Sequence, residues 1–173
     1  MYRSKYAYNW LPDFVYGSID GIITTFAVVS AVEGGSLPVT IILIMGFANL
    51  FADGFSMAAG KYLSDKAEID QLEIDSVGVN PILGGLSTFG AFIALGSVPL
   101  LAYVLQPFLG FGPECAFGLA CGLTLLALFY VGFLKGHFIQ KSRFLEGLLT
   151  MSIGALAAGI SYGISFWIET FVS

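Results

Sequence analysis

Five long apolar stretches, each about 20 residues with few charges, limit this chain more than any other feature. They cover residues of about 14–33, 39–65, 82–105, 115–135 and 145–168. Hydrocarbon offers the backbone no water, so a segment that crosses it must satisfy its own N–H and C=O groups, as a helix does. The chain is 57% hydrophobic and 11% charged, with mean hydropathy +0.85. A soluble domain carries roughly 25% charged residues. The expected fold class is therefore all-α: a polytopic membrane protein of five transmembrane helices, one domain over residues 1–173.

Short polar or Gly- and Pro-rich pieces separate the spans. Glu33-Gly34-Gly35-Ser36 closes the first, and Pro38 opens the next helix. The second runs past Lys61 toward DKAEIDQLEID, and an acidic link over 65–81 leads to the third. Pro99 predicts a kink in the third span, Pro107 to Pro113 a turn, and KGHFIQKSRF a polar connection. Five spans put all seven basic residues on one side: Arg3, Lys5, Lys61, Lys66, Lys135, Lys141 and Arg143. The other side then has only Glu33, Glu114 and Glu169. By the positive-inside rule the N-terminus is cytoplasmic and the C-terminus is outside. Asp20 and the lack of a small-residue cleavage site mark the first span as a retained helix, not a removed signal.

Several function classes are excluded by inventory. Cys115 and Cys121 form no CxxC, and His137 is the only histidine, so no disulfide framework, zinc finger or haem site is expected. No Ser/His/Asp set, phosphate loop or HExxH is present, so neither an enzyme nor a bound cofactor is expected. The few basic residues form no patch for nucleic acid. Gly118/Gly122, Gly132/Gly136 and Gly159/Gly163 are small pairs at spacing four, suited to close helix packing within the chain or between subunits. No internal repeat is evident.

The chemistry lies in two polar stripes at membrane depth. Asn49, Asp53 and Met57 step four residues at a time and drift only about 40° per step, so they share one face of the second helix. The first carries Asp20, Thr24 and Thr25. An Asp at the bilayer centre costs about 2.5–3.5 kcal/mol on insertion scales, and such residues usually face a bundle interior or an aqueous path. With Asp13 and Lys61 as boundary marks, Asp20 lies about 10 Å deep, Met57 about 6 Å and Asp53 about 12 Å. If the two helices are neighbours with stripes facing, two carboxylates, an amide and a thioether converge. Two such acids cannot both stay ionised unless a cation joins them, so a divalent metal entering an empty site displaces a proton. The thioether tilts the preference from Mg²⁺ or Ca²⁺ toward a softer ion such as Fe²⁺.

Each residue also has a structural reading. An intramembrane Asp can bond another helix, Met57 can fill core space, Asn49 can join helices, and the threonines can bond their own carbonyls. The run Asp65, Glu68, Asp70, Glu73, Asp75 can gather cations, or be a solvated helix end with a Lys66–Asp70 pair. Lys61 is expected to snorkel toward the interface, and His137 to sit in it.

Two blocks, YGSIDGIITTFAVVSAVEGG and GFANLFADGFSMAAGKYLSDKAE, resemble the vacuolar iron transporter family of divalent-metal/proton antiporters. Weaker similarity reaches LEGLLTMSIGALAAGISYGI, so it covers nearly the whole chain. The resemblance implies a five-helix subunit working as a homodimer, with the metal path at the dimer seam between first and second helices. It implies that Asp20 is the pathway aspartate and Met57 the pathway methionine. The pattern departs at Asn49, where vacuolar members carry Glu, and at Asp53, where they carry a small residue. The link over 65–81 is too short for the family's Glu- and Met-rich cytoplasmic metal-binding domain, so this is a short form.

Taken together, the expected function is export of Fe²⁺, or Mn²⁺, from the cytoplasm in exchange for protons. Asp20, Asp53, Met57, Asn49 and Thr24 are the metal ligands. Metal, protons, lipid and a second copy of the chain are the partners. A prokaryotic inner membrane is the expected location. A passive cation channel and a non-transporting membrane scaffold are the alternatives.

Overall fold

The computed structural model describes residues 8–72 and 79–172, and every element in it is a helix. In chain order these are α1 (Leu11–Gly34), α2 (Val39–Leu72), α3 (Pro81–Gly96), α4 (Val98–Leu109), α5 (Pro113–Phe138) and α6 (Arg143–Val172). Arg3, Lys5, Glu73 and Asp75 lie outside the described residues. Helices α1, α2, α5 and α6 are each long and apolar enough to cross a membrane, and the bent pair α3 and α4 is long and apolar enough taken together, as one broken span or a re-entrant loop.

The third expected span is two helices meeting at 40°. The Ser97 N–H donates to Ile93 at 3.1 Å and closes α3; the Leu100 N–H donates to Ser97 at 3.0 Å and opens α4. Pro99, which has no N–H, falls in that first turn, where a helix needs none. Helix α4 then runs through Pro107 to Leu109, so the expected turn at Pro107 begins only at Gly110, whose φ of 69° is left-handed.

The polar connection expected at KGHFIQKSRF is also mostly helix. Helix α5 continues to Phe138 and α6 starts at Arg143. Lys135 reaches across the turn to Glu146 at 2.7 Å, and Gly136 lies against the Arg143 backbone. Lys135, at the start of the stretch that reads as loop, is thus paired between two helices.

Helix α1 is the axis of the bundle: half of its apolar stretch is buried, against 22% for α2 and 17% for α6. Its main partner toward the start of the chain is α3, because Gly17 and Gly21 let the two backbones touch. A Cβ on Gly21 would lie 2.6 Å from the Phe92 carbonyl oxygen, and one on Gly17 would strike that of Thr88. At the other end Gly34 gives α6 the same access, its Cβ position lying 2.6 Å from the Tyr162 carbonyl. Helix α2 packs on α3 through Gly54 and through Ala58 against Gly85. The apolar core joins Phe26, Val29 and Val32 of α1 to Ile42, Leu100, Tyr103, Ala116 and Ala120, with Ile22, Leu128 and Val131 forming a second cluster.

The small pairs divide. Gly132 and Gly136 are the packing face of α5 on α6, whereas Gly118, Gly122, Gly159 and Gly163 have no neighbour within 4 Å. These four leave open surface on the outside of the chain.

Candidate functional site

The core-facing residues of α1 are Ile22, Thr25 and Val29, which leaves Asp20, Thr24, Ala27, Ala31 and Gly35 on another face, within about 80° of arc. Asp20 and Thr24 are half-buried there. The Thr24 hydroxyl donates to the Asp20 carbonyl at 2.9 Å, so its proton is held by its own helix. Asp20 also lines an open cavity of about 480 Å³ between the start of α1 and the end of α5, with Tyr16, Ile19, Lys135 and Ile139.

On α2, Leu50 and Gly54 turn inward, and Asn49, Asp53 and Met57 sit half-buried beside them. The Asp53 carboxylate is within electrostatic range of Asp20. The Asn49 amide nitrogen is buried with no hydrogen-bond acceptor. The helices do not face each other squarely, however, because α3 lies against both. Among the described residues no three acidic, His or Cys side chains come together as a metal cage. One chain therefore offers two half-buried carboxylates within electrostatic range of each other, with Thr24 one turn from Asp20 on α1 and Asn49 and Met57 one turn either side of Asp53 on α2.

A second charged group, at the same end of the bundle, was not legible in the sequence. The Lys61 ammonium lies 3.1 Å from Asp13 and 2.6 Å from Asp65, and both carboxylates are buried. Lys61 is thus the hub of an ion triad and does not snorkel freely. Asp65 belongs to this triad and not to the solvated acidic run; Lys66 and Asp70 are exposed, with no ion pair between them. The Tyr8 hydroxyl donates to the second Asp13 oxygen at 2.5 Å and lies 3.3 Å from the Leu83 carbonyl. Burial, and then that bond to Asp13, push the Tyr8 phenol up to about 12. Gly84 admits the group, since a Cβ there would sit 2.8 Å from Asp65 Oδ2. The triad ties α1, α2 and α3 together. The available signal was Lys61 and Asp65 at i,i+4; Asp13 is far away in sequence.

At the opposite end the Tyr103 hydroxyl donates to Glu33 at 2.8 Å, joining α4 to the end of α1. His137 is exposed beside the Phe138 ring.

A helical bundle with four or five stretches long and apolar enough to cross a membrane defines an integral membrane protein, and Asp20 and Asp53 are acids within those stretches. The model of one family, described as the VIT family, matches residues 11–76 and 67–165. The chain belongs to the VIT family. A "Vacuolar iron transporter" of Toxoplasma gondii is 26% identical over 229 residues, covering 95% of this chain and 76% of that protein. "Vacuolar iron transporter 1" of Oryza sativa subsp. japonica is 25% identical over 218 residues, covering 91% of this chain and 85% of the relative. A "Vacuolar iron transporter" of Plasmodium berghei is 43% identical over 60 residues, 35% of this chain and 22% of that protein. The first alignment is longer than the 173-residue chain itself, so the relative carries inserted residues that this chain lacks.

Proposed function

We propose that this chain carries Fe²⁺, and Mn²⁺ as a related ion, out of the cytoplasm in exchange for protons. The observation that carries the reading is the electrostatic proximity of Asp20 and Asp53, both half-buried on helices long and apolar enough to cross a membrane. Family membership and the printed names of the relatives support iron as cargo. Asp20 and Asp53 bind the metal and hold the exchanged protons, Met57 makes the site softer, and Asn49 and Thr24 contribute neutral oxygens. In the absence of metal the two acids share protons, and a divalent ion that neutralises both releases them, which couples the fluxes.

A homodimer completes the path. Among the described residues the two carboxylates of one chain fall short of a cage, and a second copy supplies the remaining ligands. The end bearing Lys61, Lys66, Lys135, Lys141 and Arg143 faces the cytoplasm by the positive-inside rule. The relatives' names lend no support to the expected prokaryotic inner membrane.

The test is uptake of Fe²⁺, Mn²⁺ and Ca²⁺ into proteoliposomes with an internal pH dye. The proposal expects metal entry matched by proton exit, abolished by Asp20→Ala or Asp53→Ala. Met57→Leu should slow Fe²⁺ and Mn²⁺ while leaving any Ca²⁺ leak unchanged. Metal entry without proton movement would make the chain a channel, and no entry from folded dimers would make it a scaffold.

A further inference from the structure

The open cavity between the start of α1 and the end of α5, about 480 Å³, is of a size that suits a small organic molecule. Leu11, Val15, Ile19 and Ile139 give it apolar walls, and its charged lining residues are Asp20 and Lys135. On α1 the lining runs from Leu11 to Asp20, about 13 Å along the helix axis. The acid therefore stands at the inner end of an apolar trough.

The two charges differ in what they can offer an occupant. The Lys135 ammonium is already held 2.7 Å from Glu146, so an anion entering the cavity would have to compete with that carboxylate. Asp20 makes no ion pair among the described residues. The Thr24 hydroxyl beside it donates to its main-chain carbonyl and not to its carboxylate, and the charged group that acts on it is Asp53, of the same sign. The unmet charge of the cavity is thus negative, and it sits where a partner has apolar surface to cover at the same time. A cation with an apolar body fits both features; a bare acyl chain or an anionic headgroup fits one at most.

We infer that this cavity binds a compact hydrophobic amine, with its ammonium on the Asp20 carboxylate and its body along Leu11, Val15, Ile19 and Ile139. The charge-assisted bond fixes one end of the ligand, and burial of its apolar part against the walls of α1 and α5 adds the rest. The site stands without the transport reading, because it needs only the cavity and the unpaired acid. The two readings meet at Asp20: an amine seated there competes with a metal ion for the same carboxylate.

The experiment uses the full chain with Trp167→Phe in phosphatidylcholine vesicles, so that all tryptophan emission comes from Trp10, which precedes Leu11 and packs on Phe14 and Phe138. Three probes share one brominated body, because bromine quenches an indole only at close range: 4-(4-bromophenyl)butylamine, the matching butanol and the matching butanoate. The amine should quench at about tenfold lower concentration than the alcohol, and the butanoate should be weaker than both. Asp20→Asn should bring the amine and the alcohol together. Val15→Phe, which fills the cavity and keeps the acid, should weaken quenching by both. Equal quenching by amine and alcohol in the parent would overturn the proposal, as would an amine preference that survives Asp20→Asn or is untouched by Val15→Phe. A preference for the butanoate would assign the cavity to an anion at Lys135 and overturn it too. No metal enters the measurement, so a chain that fails to transport can still pass or fail this test.

Discussion

Replacing Lys61 by Met keeps the length of the side chain and removes its charge, leaving Asp13 and Asp65 buried and facing each other. At 3.1 and 2.6 Å the two attractions are worth about 5 and 6 kcal/mol gross at an effective dielectric of about 20. Desolvation cancels much of this, and removal of one partner from a buried ion pair costs about 3–5 kcal/mol. Lys61 is 28% exposed, which puts its loss at the lower end, about 3 kcal/mol. For a chain of this size that corresponds to a Tm lower by about 6–12 °C. Thermal unfolding in detergent, followed by tryptophan fluorescence, suits the measurement because Trp10 stands beside the triad on Phe14 and Phe138. The triple variant Asp13→Asn, Lys61→Met, Asp65→Asn removes all three charges and should regain most of the loss, since a whole buried ion group can be exchanged for neutral residues at little cost. A Lys61→Met protein within about 2 °C of the parent, or a triple variant as unstable as the single, would refute the triad as a clamp on α1, α2 and α3.

Gly84→Ala should destabilise by about 1–3 kcal/mol, because its methyl group must displace the Asp65 carboxylate, whereas Gly90→Ala, with nothing within 4 Å, should be neutral or better; the same melting experiment compares them. Tyr8 gives an alkaline signature. Its phenol ionises near 10.0 when unfolded and near 12 in the fold, so its contribution is intact below pH 10 and lost as pH rises toward 12. Tyr8→Phe should flatten the fall in Tm across that window, and an unchanged alkaline slope would show that Tyr8 contributes nothing there.

The spans were legible because hydropathy is a property of each segment alone. The same held for the bend at Pro99, where a missing N–H acts locally. What the sequence concealed depended on partners. KGHFIQKSRF looked like a loop because Lys135 and Glu146 are satisfied only when α5 and α6 lie side by side. Asp13 looked like a boundary mark because its partner Lys61 is reached only after α3 brings Gly84 between the helices. Asp20, Asp53 and Met57 stood out as polar or soft groups at a depth where each needs a reason. That α3 lies against α1 is signalled by Gly17 and Gly21, four apart, small residues at which the two backbones touch.

Asn49, Asp53 and Met57 occupy the rim of α2, one residue to the side of Leu50 and Gly54, which hold the core. A carboxylate can therefore move up or down that rim by a full turn with no change in any buried contact of Leu50 or Gly54. The stripe works as a row of interchangeable sockets on a fixed frame. Under the proposed transport reading, ligand number, softness and depth can be rewritten one residue at a time, while the bundle that holds them keeps the same fold.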